Sequence, residues 1–273
     1  FSISIAAIAI GIIFIAIKGL NFGIDFTGGS SIQANIGKSF DIEQVREITD
    51  KFDKEAIVTY AGSNDDIALI KTKIALNINQ QGELIKDFQE KFNIQQTNIQ
   101  IEQIGPTIGN ELKKQALLAL FLANIGILIY ISFRFEWKFG VSAIIALIHD
   151  VAMMIVVYSI LQIPLNASFI AAILTIVGYS INDTIVIFDR IRENKKNIRK
   201  LDKITLVNQS VSETLARSIN TSLTTLLTIL TLYILGVPAI KDFALPLIVG
   251  IISGTYSSIF IASPLWVLIT EQF

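Results

Sequence analysis

Cysteine is absent from the 273 residues. Disulfide staples, thiolate metal sites and a cysteine nucleophile are therefore excluded, although the compartment is not fixed. Histidine occurs once, at His149, beside Asp150. One imidazole and one acid are too few ligands for a metal site, so no metal is expected. Charge is scarce: 16% of residues are charged and the net charge is −1. No global field recruits nucleic acid or acidic lipid, and any electrostatic message is local. No methionine precedes Phe1, and the chain opens directly in apolar sequence, which suggests a trimmed start. A signal peptide is the rival reading of that first run, but no small-residue cleavage site follows it.

What the chain has in quantity is apolar sequence. Hydrophobic residues make up 52%, and the mean hydropathy is +0.60. Roughly 20 apolar residues cross a hydrocarbon core. Six spans are expected on that basis, near 1–20, 115–133, 139–163, 167–189, 215–236 and 243–270. A basic loop, 190–214, carries Arg190, Arg192, Lys195, Lys196, Arg199, Lys200 and Lys203, and Arg134 and Lys138 lie in the short loop between the second and third spans. The loops LQIPLNAS and GVPAIKD carry almost no charge. The positive-inside rule puts the basic loops in the cytoplasm, so both termini are expected there and the segment after the first span outside. With five spans following it, 113–273 reads as a membrane domain.

Residues 21–112 form a polar island with alternating periodicities. SSIQANI, AIVTY, DIALIKTK and NIQIEQI read as strands. DIEQVREITDKF, with Asp41 as N-cap, and ELIKDFQEKF read as helices. AGSND suits a hairpin turn. The resulting order, β-α-β-β-α-β, is that of a ferredoxin-like α+β domain. It has no histidine and no clustered acid pair on a recognisable frame, so a docking surface for a protein client is expected rather than an enzyme, with a rigid spacer as the bland alternative.

Three groups of residues carry possible chemistry. NFGIDFTGGS leads into the external domain, and its Gly23, Asp25, Gly28 and Gly29 are read as a sharp structural turn. The Walker lysine of a phosphate loop is missing. Asp183 lies in the fourth span, seven residues or roughly 10 Å from Arg190, beside a small-residue face of Ala171, Thr175, Gly178 and Asn182 suited to close helix packing. Charges within a bilayer cost roughly 2.5–3.5 kcal/mol each and usually face a partner or a wet path. In the fifth span Ser210, Thr214, Arg217, Thr221, Thr224 and Thr228 recur at helical spacing and stay within about 40° of one direction. Arg217 thus belongs to a polar stripe, which is expected to line a water-filled cleft facing Asp183. Hydroxyls that only bond their own helix are the bland alternative. His149 and Asp150, near mid-span, suit either a proton relay or a satisfied polar contact. Being adjacent, they point about 100° apart on a helix and need not serve one site.

GIDFTGGS (23–30), VGYSINDTIVIFDRIREN (177–194), SETLARSINTSLTT around Arg217, and HD at 149–150 together resemble the SecF protein-export family over the whole chain. The resemblance implies half of a resistance-nodulation-division unit in the bacterial cytoplasmic (inner) membrane. Its partners would be SecD, the SecYEG translocon and translocating preproteins. It would have no cofactor beyond a proton or sodium gradient. Asp183 and Arg217 would be the coupling pair, with His149, Asp150, Asn182, Thr221 and Thr224 as possible relay or lining. No catalytic residue is implied. Alternatives of other kinds are an ion-coupled exporter of lipid or small amphiphile, a non-catalytic structural subunit, and an intramembrane aspartyl protease using Asp150 and Asp183, which lack that chemistry's sequence contexts.

Overall fold

Long uninterrupted apolar sequence folds into long helices because only intrahelical bonds satisfy the backbone where water is absent. A computed structural model describes residues 1–62, 65–197 and 202–272. Its membrane-length helices are α5 (Pro106–Arg134), α6 (Trp137–Leu161), α7 (Ala167–Asn197), α8 (Lys203–Leu235) and the pair α9 (Pro238–Ser257) and α10 (Ser263–Gln272), which run on through one π-helical turn, Ser258–Ala262. Among the described residues, five helices are therefore long and apolar enough to cross a bilayer. The first expected span, α1 (Ser2–Lys18), has 17 residues. At helical rise that is about 26 Å, just short of a hydrocarbon core of roughly 30 Å.

The helices also run further than hydropathy suggests. α5 begins at Pro106, inside the expected external domain, because Gly105 and Pro106 supply a helix start. The expected loop 190–214 is largely helical. α7 continues to Asn197, and α8 starts at Lys203 with Asp202 as its N-cap, accepting from the Thr205 amide at 3.2 Å. Arg199 and Lys200 of the basic run lie outside the described residues, as do Ser63 and Asn64 of the expected hairpin turn.

The polar island contains a short helix, α2 (Ile24–Thr27), then β1 (Gly29–Asn35), α3 (Ile42–Thr49), β2 (Ile57–Ala61), β3 (Ile67–Thr72), α4 (Ile78–Phe92) and β4 (Ile99–Ile104). The strands make one antiparallel sheet in the order β2-β3-β1-β4. Asp41 caps α3 by accepting from the Glu43 amide at 3.0 Å. α4 starts five residues earlier than expected because Asn77 and Gln80 form a capping box. Ile32, Ala34, Val45, Ile48, Ala68, Ile70, Leu84 and Phe88 fill the core between the sheet and the two helices.

In the bundle, α6, α7 and α9–α10 bury about half of their apolar windows, whereas α5 and α8 leave most of theirs open. Trp266 stacks on Phe139 at 4.8 Å between ring centroids, and Phe139 meets Phe188 at 4.7 Å, which closes the core at the end away from the sheet. At the sheet end, the segment after α1 pairs with the α6–α7 connection. The Gly23 amide donates to the Leu165 carbonyl at 2.6 Å, and the Leu165 amide to the Asn21 carbonyl at 2.8 Å. Lys71 of β3 pairs with Asp242 of α9 at 3.3 Å, so the sheet is tied to the bundle through a second helix.

Candidate functional site

The glycine motif forms a joint between sheet and bundle. Gly28 has φ 78° and Gly29 φ 144°, and a Cβ on Gly29 would lie 2.2 Å from the Thr72 carbonyl oxygen. Only glycine fits that backbone and that approach. Asp25, one turn earlier, sends Oδ2 to the Ala167 amide at 2.7 Å and so satisfies one of the free donors that begin α7.

α7 carries Asp183, which is 8% exposed and has Oδ2 buried without a hydrogen-bond partner. Ser218 of α8 lies beside it, and the charge of Arg217 acts on it from the same helix. No ion pair within 4 Å joins Asp183 to Arg217 among the described residues. Arg217 is exposed and lines a cleft of about 690 Å³ with Asp189, Arg190, Glu193 and Glu213. The two residues expected to couple are thus on neighbouring helices, unpaired. Neighbouring Glu213 is engaged instead, by Arg190 at 2.5 Å, Asn194 at 2.8 Å and Gln209 at 2.9 Å.

The expected wet stripe on α8 takes a different form. Thr221, Thr224 and Thr228 are exposed, and each hydroxyl donates to a carbonyl one turn back at 2.9–3.0 Å. Ala171, Thr175, Gly178 and Asn182 of α7 are likewise exposed, with no heavy atom within 4 Å of a Cβ built on Gly178. The small-residue face of α7 and the Arg217–Thr228 part of the α8 stripe therefore open outward, whereas Ser210 and Thr214 at its start are buried. Within this chain the stripe does not enclose a cleft with Asp183.

His149 and Asp150, despite their adjacency, do meet: Nδ1 lies 3.2 Å from Oδ1. Asp150 is 1% exposed and accepts from Ser253 at 2.8 Å on Oδ1, and from Ser180 at 2.7 Å and Ser257 at 2.8 Å on Oδ2. Sequence reasoning did not find these three serines. They lie 30, 103 and 107 residues from Asp150, and their spacing advertises nothing. Both carboxylate oxygens are taken by serines and His149, so Asp150 and Asp183 form no dyad of the kind an aspartyl protease needs.

Membrane-length helices, a small sheet domain joined to one end of them and acids within the helices define a multi-pass membrane protein with ionisable groups in its bundle. Comparison with known proteins makes this specific. The family profile "Protein export membrane protein SecD/SecF, C-terminal" matches residues 84–272, and the "SecD/SecF GG Motif" matches 13–37. The Haemophilus influenzae protein translocase subunit SecF is 41% identical over 263 residues, covering 96% of this chain and 81% of that protein. The Thermus thermophilus subunit SecDF is 42% identical over 267 residues, covering 96% of this chain and 36% of that one. The crystal structure of Thermus SecDF, titled as a translocon-associated membrane protein, superposes with a TM-score of 0.84 at 39% identity, over 99% of this chain and 37% of that chain. SecDF in its super-membrane-facing form gives 0.73 at the same identity and coverage. The chain belongs to the SecF family of protein-export membrane proteins.

Proposed function

We propose that this chain is a SecF-like subunit of the Sec protein-export machinery in the bacterial cytoplasmic membrane. It uses the proton motive force to assist translocation and release of preproteins. The observation that carries the coupling is the unpaired state of Asp183 and Arg217 on adjacent helices, with one carboxylate oxygen buried and free. An ionised Asp183 attracts Arg217, and a proton on the carboxylate ends that attraction. One charge falling through 100 mV releases roughly 2.3 kcal/mol, enough to bias a two-state equilibrium about fiftyfold. SecDF has also been solved in a super-membrane-facing form, which supports a relative with more than one arrangement.

The outward faces of α7 and α8 fit a partner half, read as SecD, and Thermus SecDF, of which this chain spans 36%, carries both names in one protein. Loops expected outside cluster with the sheet, while at the other end Lys195 pairs with Glu136 and Arg192 donates to the Arg134 carbonyl, which supports cytoplasmic termini. We read the sheet domain, by its strand order, as ferredoxin-like. Its open face and the exposed ends Ile234, Leu235 and Val237 border a cleft of about 790 Å³, a docking surface for an emerging preprotein at the SecYEG exit. Preprotein release from the outer face is to be measured in vesicles carrying Asp183→Asn with its partners, with and without an imposed gradient. Loss of the gradient-stimulated part is expected. Normal stimulation would refute the coupling.

A further inference from the structure

The Asp150 centre is not used by the coupling pair. A buried carboxylate is costly unless it is both hydrogen-bonded and compensated in charge. Ser180, Ser253, Ser257 and the His149 ring supply four donors at 2.7–3.2 Å, but the serines are neutral. No lysine or arginine pairs with Asp150 among the described residues; its only ion-pair partner there is His149. His149 is 8% exposed, and its Nε2 is buried without a partner. The ring lies 5.9 Å from the Tyr256 ring, tilted by 31°. That distance lies within the range over which an aromatic ring attracts a cation.

We propose that His149 and Asp150 form a second proton-binding centre, in which one proton seats on Nε2 while Asp150 stays ionised and Tyr256 flanks the resulting imidazolium. No heavy atom needs to move. Nδ1 keeps its hydrogen bond to Oδ1, and Nε2 changes from a bare nitrogen to an N–H. The pair becomes neutral as a whole, which suits an apolar bundle. Histidine is the side chain whose ordinary range allows this between about pH 5 and 8. The titratable groups that face the ring are Asp150 on α6 and Tyr256 on α9. α1 brings Ser4, which donates to the Tyr256 hydroxyl at 3.3 Å. α7 brings Ser180 to the carboxylate, and α5 and α10 bring no ion-pairing group to it.

The centre is wired to α7. Ser180 donates to Asp150, and its carbonyl accepts from Ser258 at 3.5 Å. The Ser258 hydroxyl meets that of Thr184 at 2.8 Å, next in sequence to Asp183. At the start of the π-helical turn Ser257 reaches Asp150 on α6 and Ser258 reaches Thr184 on α7, and such turns are frequent at functional sites. This deepens the ion-coupling reading and rests on it only for the use made of the proton, since the titration itself can be read without any export.

The chain has one histidine, so histidine-selective ¹⁵N labelling reports a single imidazole. The full chain in lipid vesicles is examined by solid-state NMR from about pH 5 to about pH 8. The expected result is an imidazolium at the acid end that loses its Nε2 proton toward the alkaline end, and loss of the acid-end imidazolium signal in Asp150→Asn. Ser253→Ala, which keeps the carboxylate, serves as the second variant and is expected to retain the signal. A bare Nε2 throughout in the unaltered chain overturns the proposal, whatever the variants do. So does an unchanged signal in Asp150→Asn. A sodium-dependent shift of a neutral ring, absent in choline, would mark a sodium site instead and equally overturn it.

Discussion

Asp25 and Ala167 are joined by a 2.7 Å hydrogen bond from the Ala167 amide to the Asp25 carboxylate, across 142 residues of sequence. The acid at the root of the sheet domain thereby caps the helix that carries Asp183 sixteen residues further on. The Gly23–Leu165 and Asn21–Leu165 backbone bonds lie alongside. A displacement of α7 along its axis therefore acts directly on the base of the sheet domain. That is a physical route from a bundle event to a movement of the sheet domain, and it consists of a cap and a two-bond bridge.

Asp25→Ala removes an acceptor from the start of α7 and leaves the Ala167 amide short of one. Losing a cap of this type costs typically about 1 kcal/mol. Faster hydrogen exchange at the first amides of α7 is expected, together with a small drop in thermal stability in detergent. Unaltered exchange there would show that Asp25 does not hold the helix.

Two glycines should behave oppositely. Gly29→Ala places a methyl 2.2 Å from the Thr72 carbonyl oxygen, at a φ of 144°, so β1 and β3 must part or the substitution must fail to accumulate folded protein. A Cβ on Gly178 meets nothing within 4 Å, so Gly178→Leu points its side chain from an exposed position, and helix propensity favours it by about 1 kcal/mol over glycine. The isolated chain should keep its stability, while co-purification with a SecD half should fall if that face is the contact. Retained co-purification would remove α7's small-residue face from the interface.

Arg217→Met is expected to leave the fold within about 0.5 kcal/mol, as for ordinary surface positions, because Arg217 is exposed and makes no ion pair among the described residues. Gradient-stimulated export should be lost nonetheless, since an ionised Asp183 then has no cation to attract. Stimulated export at the normal rate in a stably folded Arg217→Met chain would show that the arginine is not part of the coupling.

The start of α8 should weaken in acid. The Thr205 side chain, and then its backbone amide, bond the Asp202 carboxylate and hold it below the usual carboxylate range. A group depressed in the folded state contributes above its unfolded value, about 3.9, and that contribution fades as pH falls through the lower folded value. Exchange at 203–206, corrected for intrinsic rates, should accelerate below about pH 4, and Asp202→Asn should remove the pH dependence. If the corrected rates stay flat across that range, the cap does not titrate as described.

The apolar runs of the membrane helices and the alternating strands were readable because burial imposes a period on sequence. The polar extensions of α7 and α8 were not. RIRENKKN and ITLVNQSVSET lack the hydropathy that marks a span, yet they continue as helix through bonds such as Asn194 to Ser210 at 3.0 Å and Arg190 to Glu213. Asp183 and Arg217 stood out because a charge in apolar sequence is costly wherever it sits. How far apart they lie was not legible, because an open face of α8 and a closed one have the same periodicity. The serines around Asp150 were invisible for a related reason. Hydroxyls in such helices usually bond their own backbone, as Thr221 and Thr228 do, and only tertiary packing turns Ser253 and Ser257 toward a distant acid.

The wide turn at 258–262 also sets the rotational phase of the chain's last helix. Tightening it to an ordinary α-helical pitch with every residue kept would swing everything beyond it by about 100°. Trp266 would leave its stack on Phe139 and face lipid, and the Thr270 carbonyl would drop away from Lys203, which now reaches it at 2.8 Å. Loss of the wide turn would thus be felt not as a change of length but as an unscrewed lid on the core.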